Sequence, residues 1–176
     1  TPLIFVKTTY IEKELKKNLS LKNVSVFRQI FPFGLKILVK TRTPIAYGER
    51  IFEGEKITGF VDEDGFFINK KYSDQVNLEK LSSKIFGWEE NFRETLSKIL
   101  NYQKYNDVEF ITMTLSPNGF LTLEEKSLKT LILGFNPKII ENQLRVINDM
   151  KKQIKGNNIL EKIDNIDITD PNNPKI

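Results

Sequence analysis

Four acidic residues are the side chains of this sequence best suited to catalysis, because a pair of carboxylates can cleave a glycosidic bond. They are Asp62 and Asp64, which share one short acidic segment, and Glu89 and Glu90, which open a predicted helix. Negative charges at a helix start also face the positive end of the helix dipole. Since nothing in the sequence brings the two pairs together, a carboxylate-dependent wall hydrolase is the least favoured interpretation.

The acidic segment Asp62-Glu63-Asp64-Gly65 also has the oxygen-rich composition of a calcium loop. The closing ligand of a twelve-residue loop of this kind would fall on Ser73, which is not acidic. Gly65 accepts the positive φ that tight turns require. We therefore interpret the segment as a turn between two strands and predict no metal site.

Most other catalytic chemistry lacks its usual residues. The chain contains neither cysteine nor histidine, which removes thiolate nucleophiles and the common acid–base group of neutral pH. It has no Gly-x-Ser-x-Gly elbow, no Gly-x-x-x-x-Gly-Lys-Ser/Thr phosphate loop and no Gly-x-Gly-x-x-Gly turn. The sequence thus predicts no catalytic residue and no cofactor, and the protein is not expected to be an enzyme.

Charge is distributed unevenly along the 176 residues. The net charge is +4, but the first 50 residues hold ten Lys and Arg against three Asp and Glu. Basic residues interleaved with aromatic ones can bind nucleic acid. Several of these aromatics fall instead on the periodicities that a core requires, so no nucleic-acid partner is expected. The aromatics concerned are Phe5, Tyr10, Phe27, Phe31, Phe33 and Tyr47.

The N-terminal part predicts one helix followed by one β-hairpin. Thr9 and Glu12 have capping-box spacing, and apolar residues then recur at four-residue intervals to Leu19. Apolar residues alternate between positions 24 and 39, with Pro32-Phe33-Gly34 in the middle. This pattern is typical of two strands joined by a tight turn.

The remaining chain predicts an α+β fold with mainly antiparallel pairing, because most connections are short. Pro171 and Pro174 lack ladder donors, so the last strand is expected at a sheet edge. A boundary is predicted that gives domains 1–50 and 51–176. The predicted elements are strands at 45–51, 57–61 and 66–68, a helix at 88–102, strands at 108–115, 120–123 and 128–133, a helix from 137 to about 156, and a strand at 163–168.

Three segments of the sequence resemble the FtsQ/DivIB family. The stretch 24–46, VSVFRQIFPFGLKILVKTRTPIA, is similar to the family's hairpin and following strand, with Thr41 in place of the family's Glu. The stretch 59–67, GFVDEDGFF, is similar to its strand and acidic turn. The stretch 163–171, IDNIDITDP, is similar to its closing segment, with Thr169 where relatives commonly have Arg.

The resemblance implies a POTRA (polypeptide-transport-associated) domain followed by a β-domain with covering helices. Residues 1–50 would keep the last helix and hairpin of the POTRA domain, and residues 51–176 would form the β-domain. The first POTRA strand and helix, and a single membrane-spanning helix, would precede Thr1. The family-motif residues with an expected structural role are Arg28, Pro32, Arg42, Pro44, Asp62 and Gly65.

The resemblance also implies a function as a scaffold in septum formation that links early and late division proteins. Its immediate partners would be FtsB- or DivIC-like and FtsL-like proteins, on the extracytoplasmic side of the cell (inner) membrane. In the family, the last strand of the β-domain adds a partner strand at its open edge. The corresponding partner-binding residues here are Ile166, Asp167, Ile168, Thr169 and Asp170.

An alternative function stays open at this point. POTRA-type segments also occur in binding modules that assist protein transport through the cell envelope. A neighbouring β-barrel segment in the full gene would favour such a module over a division scaffold.

Overall fold

The computed structural model describes residues 5–72, 81–134, 136–154 and 165–175. These residues form three α-helices, a two-stranded hairpin and an eight-stranded sheet, which confirms the predicted α+β class. The chain divides into two compact units between Thr43 and Pro44. The boundary predicted between residues 50 and 51 lies too late, because residues 44–52 form a strand of the large sheet.

The N-terminal unit has the predicted helix and hairpin. A small core forms where Ile11 and Leu15 of the helix pack on Val24 and Val26 of the first strand. The elements are α1 (Thr8–Asn18), β1 (Asn23–Gln29) and β2 (Gly34–Lys40), with β1 and β2 antiparallel.

The predicted capping box at the start of α1 is wrong. Lys7 occupies the N-cap position and makes no side-chain cap. The Glu12 carboxylate instead accepts a hydrogen bond from the Val26 N–H at 2.7 Å. The Glu12 side chain, which the capping box would have needed, is therefore used in a contact with β1.

The C-terminal unit is built on one sheet with the strand order β10-β9-β8-β7-β6-β3-β4-β5. Its strands are β3 (Pro44–Phe52), β4 (Glu55–Asp62), β5 (Phe67–Asn69), β6 (Ser83–Phe86), β7 (Phe110–Leu115), β8 (Phe120–Glu125), β9 (Lys129–Gly134) and β10 (Asn165–Asp167).

The described sheet is mainly antiparallel, as predicted, but three of its strand pairs are parallel: β3 with β6, β6 with β7, and β9 with β10. A helix lies between β6 and β7 and another between β9 and β10. Because a helical crossover brings the chain back to the same end of the sheet, the next strand runs parallel to the previous one. β6 was not predicted, because it has only four residues and one of its buried positions is Ser83. The Ser83 hydroxyl donates to the Phe110 carbonyl at 2.7 Å, which allows its burial.

The α-helices in the described part of this unit are α2 (Arg93–Tyr105) and α3 (Ile140–Ile154). Their apolar faces share one core with the sheet. Trp88, predicted to start the first of these helices, lies before it in a loop. Its indole N–H donates to the Gly65 carbonyl at 2.9 Å, and its ring lies 5.3 Å from that of Phe67. The predicted helix end near Gly156 and the residues 163–164 lie outside the described residues.

Candidate partner-binding edge

β10 is the outermost strand at one end of the described sheet, as predicted for the terminal strand. Ile166 and Ile168 are fully buried in the main core. The Ile168 N–H donates to the Ile132 carbonyl of β9 at 2.8 Å. Because backbone groups alternate in direction along a strand, those of Ile166 and Ile168 face β9, and those of Asn165 and Asp167 face away from the sheet.

The outward side of Asp167 is occupied by Lys175 of the same chain. The Asp167 N–H donates to the Lys175 carbonyl at 2.8 Å, and the Lys175 N–H donates to the Asp167 carbonyl at 2.9 Å. A turn reverses the chain between them. In this turn the Asp170 carboxylate accepts the Asn172 N–H at 3.0 Å, and its carbonyl accepts the Asn173 N–H at 3.1 Å. Residues 170–175, here called the tail, therefore cover part of the edge.

The Asp167 carboxylate is used within its own loop. It accepts hydrogen bonds from the Thr169 N–H at 2.9 Å and from the Thr169 hydroxyl at 2.7 Å. These two bonds, with Lys175 nearby, hold the pKa of Asp167 below its usual value. The side chain thus fixes the end of the strand, and the backbone of Asp167 is the part that faces outward.

Gln143 of α3 bonds to the residues that follow β10 from the core side of the sheet. Its side chain is fully buried, and its amide nitrogen donates to the Ile168 carbonyl at 2.8 Å and to the Thr169 carbonyl at 3.5 Å. This residue was not predicted from the sequence. A signal was present, because Gln143 falls between Ile140 and Leu144 on the apolar stripe of the helix, where a polar side chain needs a buried partner.

The five predicted partner-binding residues do lie together at this edge, but they differ in what they can offer. Ile166 and Ile168 point into the core and present no side chain to a partner. Asp167 presents its backbone, Thr169 is half-buried, and Asp170 is exposed at the turn. Recognition at this edge would therefore depend mainly on backbone hydrogen bonds.

A buried ion pair, also missed by sequence analysis, joins α3 to the end of β8. The side chain of Glu125 is fully buried, and its carboxylate lies 2.9 Å from the Lys151 ammonium. The same carboxylate accepts the Ser127 N–H at 2.6 Å, the Ser127 hydroxyl at 2.7 Å and the Leu128 N–H at 3.0 Å. Burial opposes ionisation, but the bonds from Lys151 and Ser127 outweigh it and lower the pKa of Glu125.

Three of the family-motif residues belong to the N-terminal unit. The Arg28 guanidinium donates to the Val6 carbonyl at 2.8 Å, which ties the hairpin to the segment before α1. Pro32 is exposed in the turn between β1 and β2, and Arg42 is half-buried just after β2.

The other three family-motif residues shape one turn of the C-terminal unit. Pro44 opposes Asp62 in the β3–β4 pair. The Asp62 carboxylate accepts the Asp64 N–H at 3.0 Å and the Phe66 N–H at 2.9 Å. Gly65 has φ +71°, and a Cβ there would collide with the Arg93 carbonyl of α2. The acidic segment is thus a turn closed by its own first residue, as predicted.

The acidic residues considered for catalysis lie around this turn and the start of α2. Asp62 is buried. Glu90 is exposed and pairs with Arg93 at 3.2 Å, and the Arg93 side chain also donates to the Asp64 carbonyl at 3.3 Å. Glu89 is exposed. In the part of the chain that the structure describes, no three acidic residues are grouped so as to hold a metal ion.

No family model matches this chain, and no curated protein matches it in a sequence comparison. Within the described ranges, no helix is both long enough and apolar enough to cross a membrane.

Proposed function

We propose that the chain is a non-enzymatic scaffold of the bacterial cell-division machinery, of the FtsQ/DivIB type, that acts in septum formation. It links early and late division proteins, and its immediate partners are FtsB- or DivIC-like and FtsL-like proteins. One observation carries the proposal. The segment in which the resemblance locates the partner-binding strand forms the outermost strand of the large sheet.

Further support comes from how the three family-like segments fold. Residues 24–46 contain the β1–β2 hairpin and the start of β3. Residues 59–67 contain the end of β4 and the turn that Asp62 closes. The described part of the third segment, residues 165–171, contains β10 and the start of its turn. Each segment thus coincides with a structural unit of the kind that the resemblance implies.

The geometry of β10 defines how a partner strand would dock. It would bond to the outward backbone groups of Asn165 and Asp167, and at Asp167 it would replace Lys175. The bridge to Lys175 consists of two backbone hydrogen bonds, each of which contributes only about 0.5–1.5 kcal/mol net. A partner strand that forms several such bonds and also buries side chains would displace the tail.

In the same proposal the chain lies on the extracytoplasmic side of the cell (inner) membrane and is held there by a single-pass helix upstream of Thr1. The scaffold role requires no cofactor, metal, catalytic residue or nucleic acid. If the chain does not bind the division proteins, the alternative is a POTRA-type binding module of envelope protein transport.

The experiment is a calorimetric titration of the chain with the extracytoplasmic segments of the FtsB-like and FtsL-like proteins of the same organism. Asn165→Pro removes an outward N–H at the first residue of an edge strand, where proline is tolerated. Asn165→Ala is the matched control, because it changes the side chain and keeps the donor. We expect the alanine variant to bind like wild type and the proline variant to bind about tenfold more weakly.

Equal binding by both variants would mean that the partner does not use the outer edge of β10. Absence of binding by the wild-type chain would contradict the proposed function itself. Ile168→Pro is a poorer probe, because the Ile168 N–H holds the strand to β9 and its loss would damage the fold.

A further inference from the structure

The turn between β1 and β2 exposes an unusual amount of apolar surface. Ile30, Phe31 and Phe33 are 81%, 91% and 76% exposed, and Pro32 between them is also exposed. Large apolar side chains grouped on a protein surface mark a site of interaction more often than they mark unused surface. We call residues 30–33 the hairpin tip.

The apolar surface continues from the hairpin tip along one face of the hairpin. Phe27 and Leu38 are each 51% exposed. They lie on the face opposite Val24 and Val26, which pack against α1, because side chains alternate between the two faces of a strand. The core of this unit therefore does not account for Phe27, Leu38 or the tip. The expectation that aromatics such as Phe27, Phe31 and Phe33 serve the core is wrong.

Positive charge borders this apolar surface. Residues 23–40 contain Arg28, Lys36 and Lys40 and no acidic residue. Lys36 pairs directly with Phe27 across the hairpin, so it shares the face with Phe27 and Leu38, and so does Lys40 by alternation. The combination of an apolar projection with flanking cations is complementary to a surface that is apolar inside and anionic at its boundary.

A lipid bilayer with anionic headgroups fits this description. Apolar and aromatic side chains enter the boundary between headgroups and acyl chains, and basic residues beside them are attracted to anionic lipid. Long lysine side chains can keep their ammonium groups at the headgroups while their stems lie along apolar surface. Single-stranded nucleic acid fits less well, because the tip includes Ile30, which offers no ring for a base to stack on.

We propose that the hairpin tip inserts Ile30, Phe31 and Phe33 into the boundary region of an anionic lipid bilayer, with Lys36 and Lys40 at the headgroups. This proposal does not depend on partner docking at β10. It is tested without any protein partner, so its failure and the failure of the proposed function are distinguishable.

The experiment is flotation of the whole chain with vesicles of phosphatidylcholine, prepared with and without phosphatidylglycerol. We expect binding to the anionic vesicles that falls with added salt, and loss of about tenfold or more in the double variant Phe31→Ser/Phe33→Ser. Phe120→Ser is the matched control, since Phe120 is also an exposed phenylalanine, although only to 47%, and lies in β8, outside the N-terminal unit. It is expected to bind as wild type does.

A second readout tests insertion itself. Trp88 is the only tryptophan of the chain, and it is buried. The variant Phe31→Trp should therefore add the fluorescence emission of an exposed tryptophan. This emission should shift to shorter wavelength only with anionic vesicles. Absence of wild-type binding to these vesicles would overturn the proposal. So would a serine double variant that binds as well as wild type, or a tryptophan emission that vesicles leave unchanged.

Discussion

Replacement of Glu125 by glutamine tests whether the buried ion pair holds α3 to the sheet. The Glu125 carboxylate accepts the ammonium of Lys151, the N–H and hydroxyl of Ser127, and the N–H of Leu128. Glutamine has nearly the same shape, but it removes the negative charge and turns one acceptor into a donor. The change therefore leaves the size of the core intact and removes the electrostatic match.

The expected loss of unfolding free energy follows from the burial of Lys151, the partner of Glu125. The Lys151 side chain is only 12% exposed, so in Glu125→Gln its charge is held largely out of water without a counter-charge. Breaking a buried pair from one side costs about 3–5 kcal/mol. We expect a loss near the lower end, about 3 kcal/mol, because Lys151 lies in the last turn of α3 and keeps some contact with solvent.

The assay is the free energy of unfolding from urea denaturation at neutral pH. Lys126→Gln is the control, because it breaks the exposed pair between Lys126 and Glu109, whose side chains are 70% and 54% exposed. Exposed pairs contribute at most about 1 kcal/mol, so this variant should unfold nearly as wild type does. A loss below about 1 kcal/mol in Glu125→Gln would refute the reasoning.

The same pair predicts a pH dependence. The pKa of Glu125 is lower in the folded chain than in the unfolded chain, so its stabilisation is present above the unfolded pKa. It is lost as pH falls through the folded pKa. The difference in unfolding free energy between wild type and Glu125→Gln should thus be largest at neutral pH and shrink in acid. A difference that stays constant or grows in acid would contradict the assignment of the charge to Glu125.

Two further substitutions probe the elements that support the edge and the acidic turn. Gly65→Ala should destabilise the chain by about 2 kcal/mol or more, because the new side chain would meet both a positive φ and a collision with α2. Gly54→Ala is the control: its φ is +80° but the space around it is open, so it should cost only about 1–2 kcal/mol of unfolding free energy in urea. Gln143→Ala should cost about 1–3 kcal/mol because it leaves the buried Ile168 carbonyl without its donor, and Asn142→Ala on the exposed side of α3 should be nearly neutral in the same measurement.

Much of the fold was predictable from local pattern. The alternation on both sides of Pro32 predicted the β1–β2 hairpin, and the apolar stripe that includes Ile140 and Leu144 predicted α3. The turn at Asp62 and Gly65 was predictable because both residue types have a local reason to be there. Each of these features depends on residues that are close together in the sequence.

The features that were missed depend on contacts between distant residues. β6 is too short to show a period, and it is stabilised from both sides by strands far away in the chain. The bond from Gln143 to Ile168 and the pair of Glu125 with Lys151 each join residues about 25 positions apart. The pairing of the tail with β10 was not predicted either, because nothing local shows that the Lys175 backbone bonds to Asp167.

Amide hydrogen exchange of the chain, alone and in complex with its FtsB-like and FtsL-like partners, tests most directly whether a partner strand adds to β10. The Ile168 amide, which bonds to β9, should be protected in both states and serves as the internal reference. We predict that the Asn165 amide becomes protected in the complex and that the Lys175 amide exchanges faster as the tail is displaced. A complex that forms while Asn165 and Lys175 exchange as in the free chain would contradict docking at this edge.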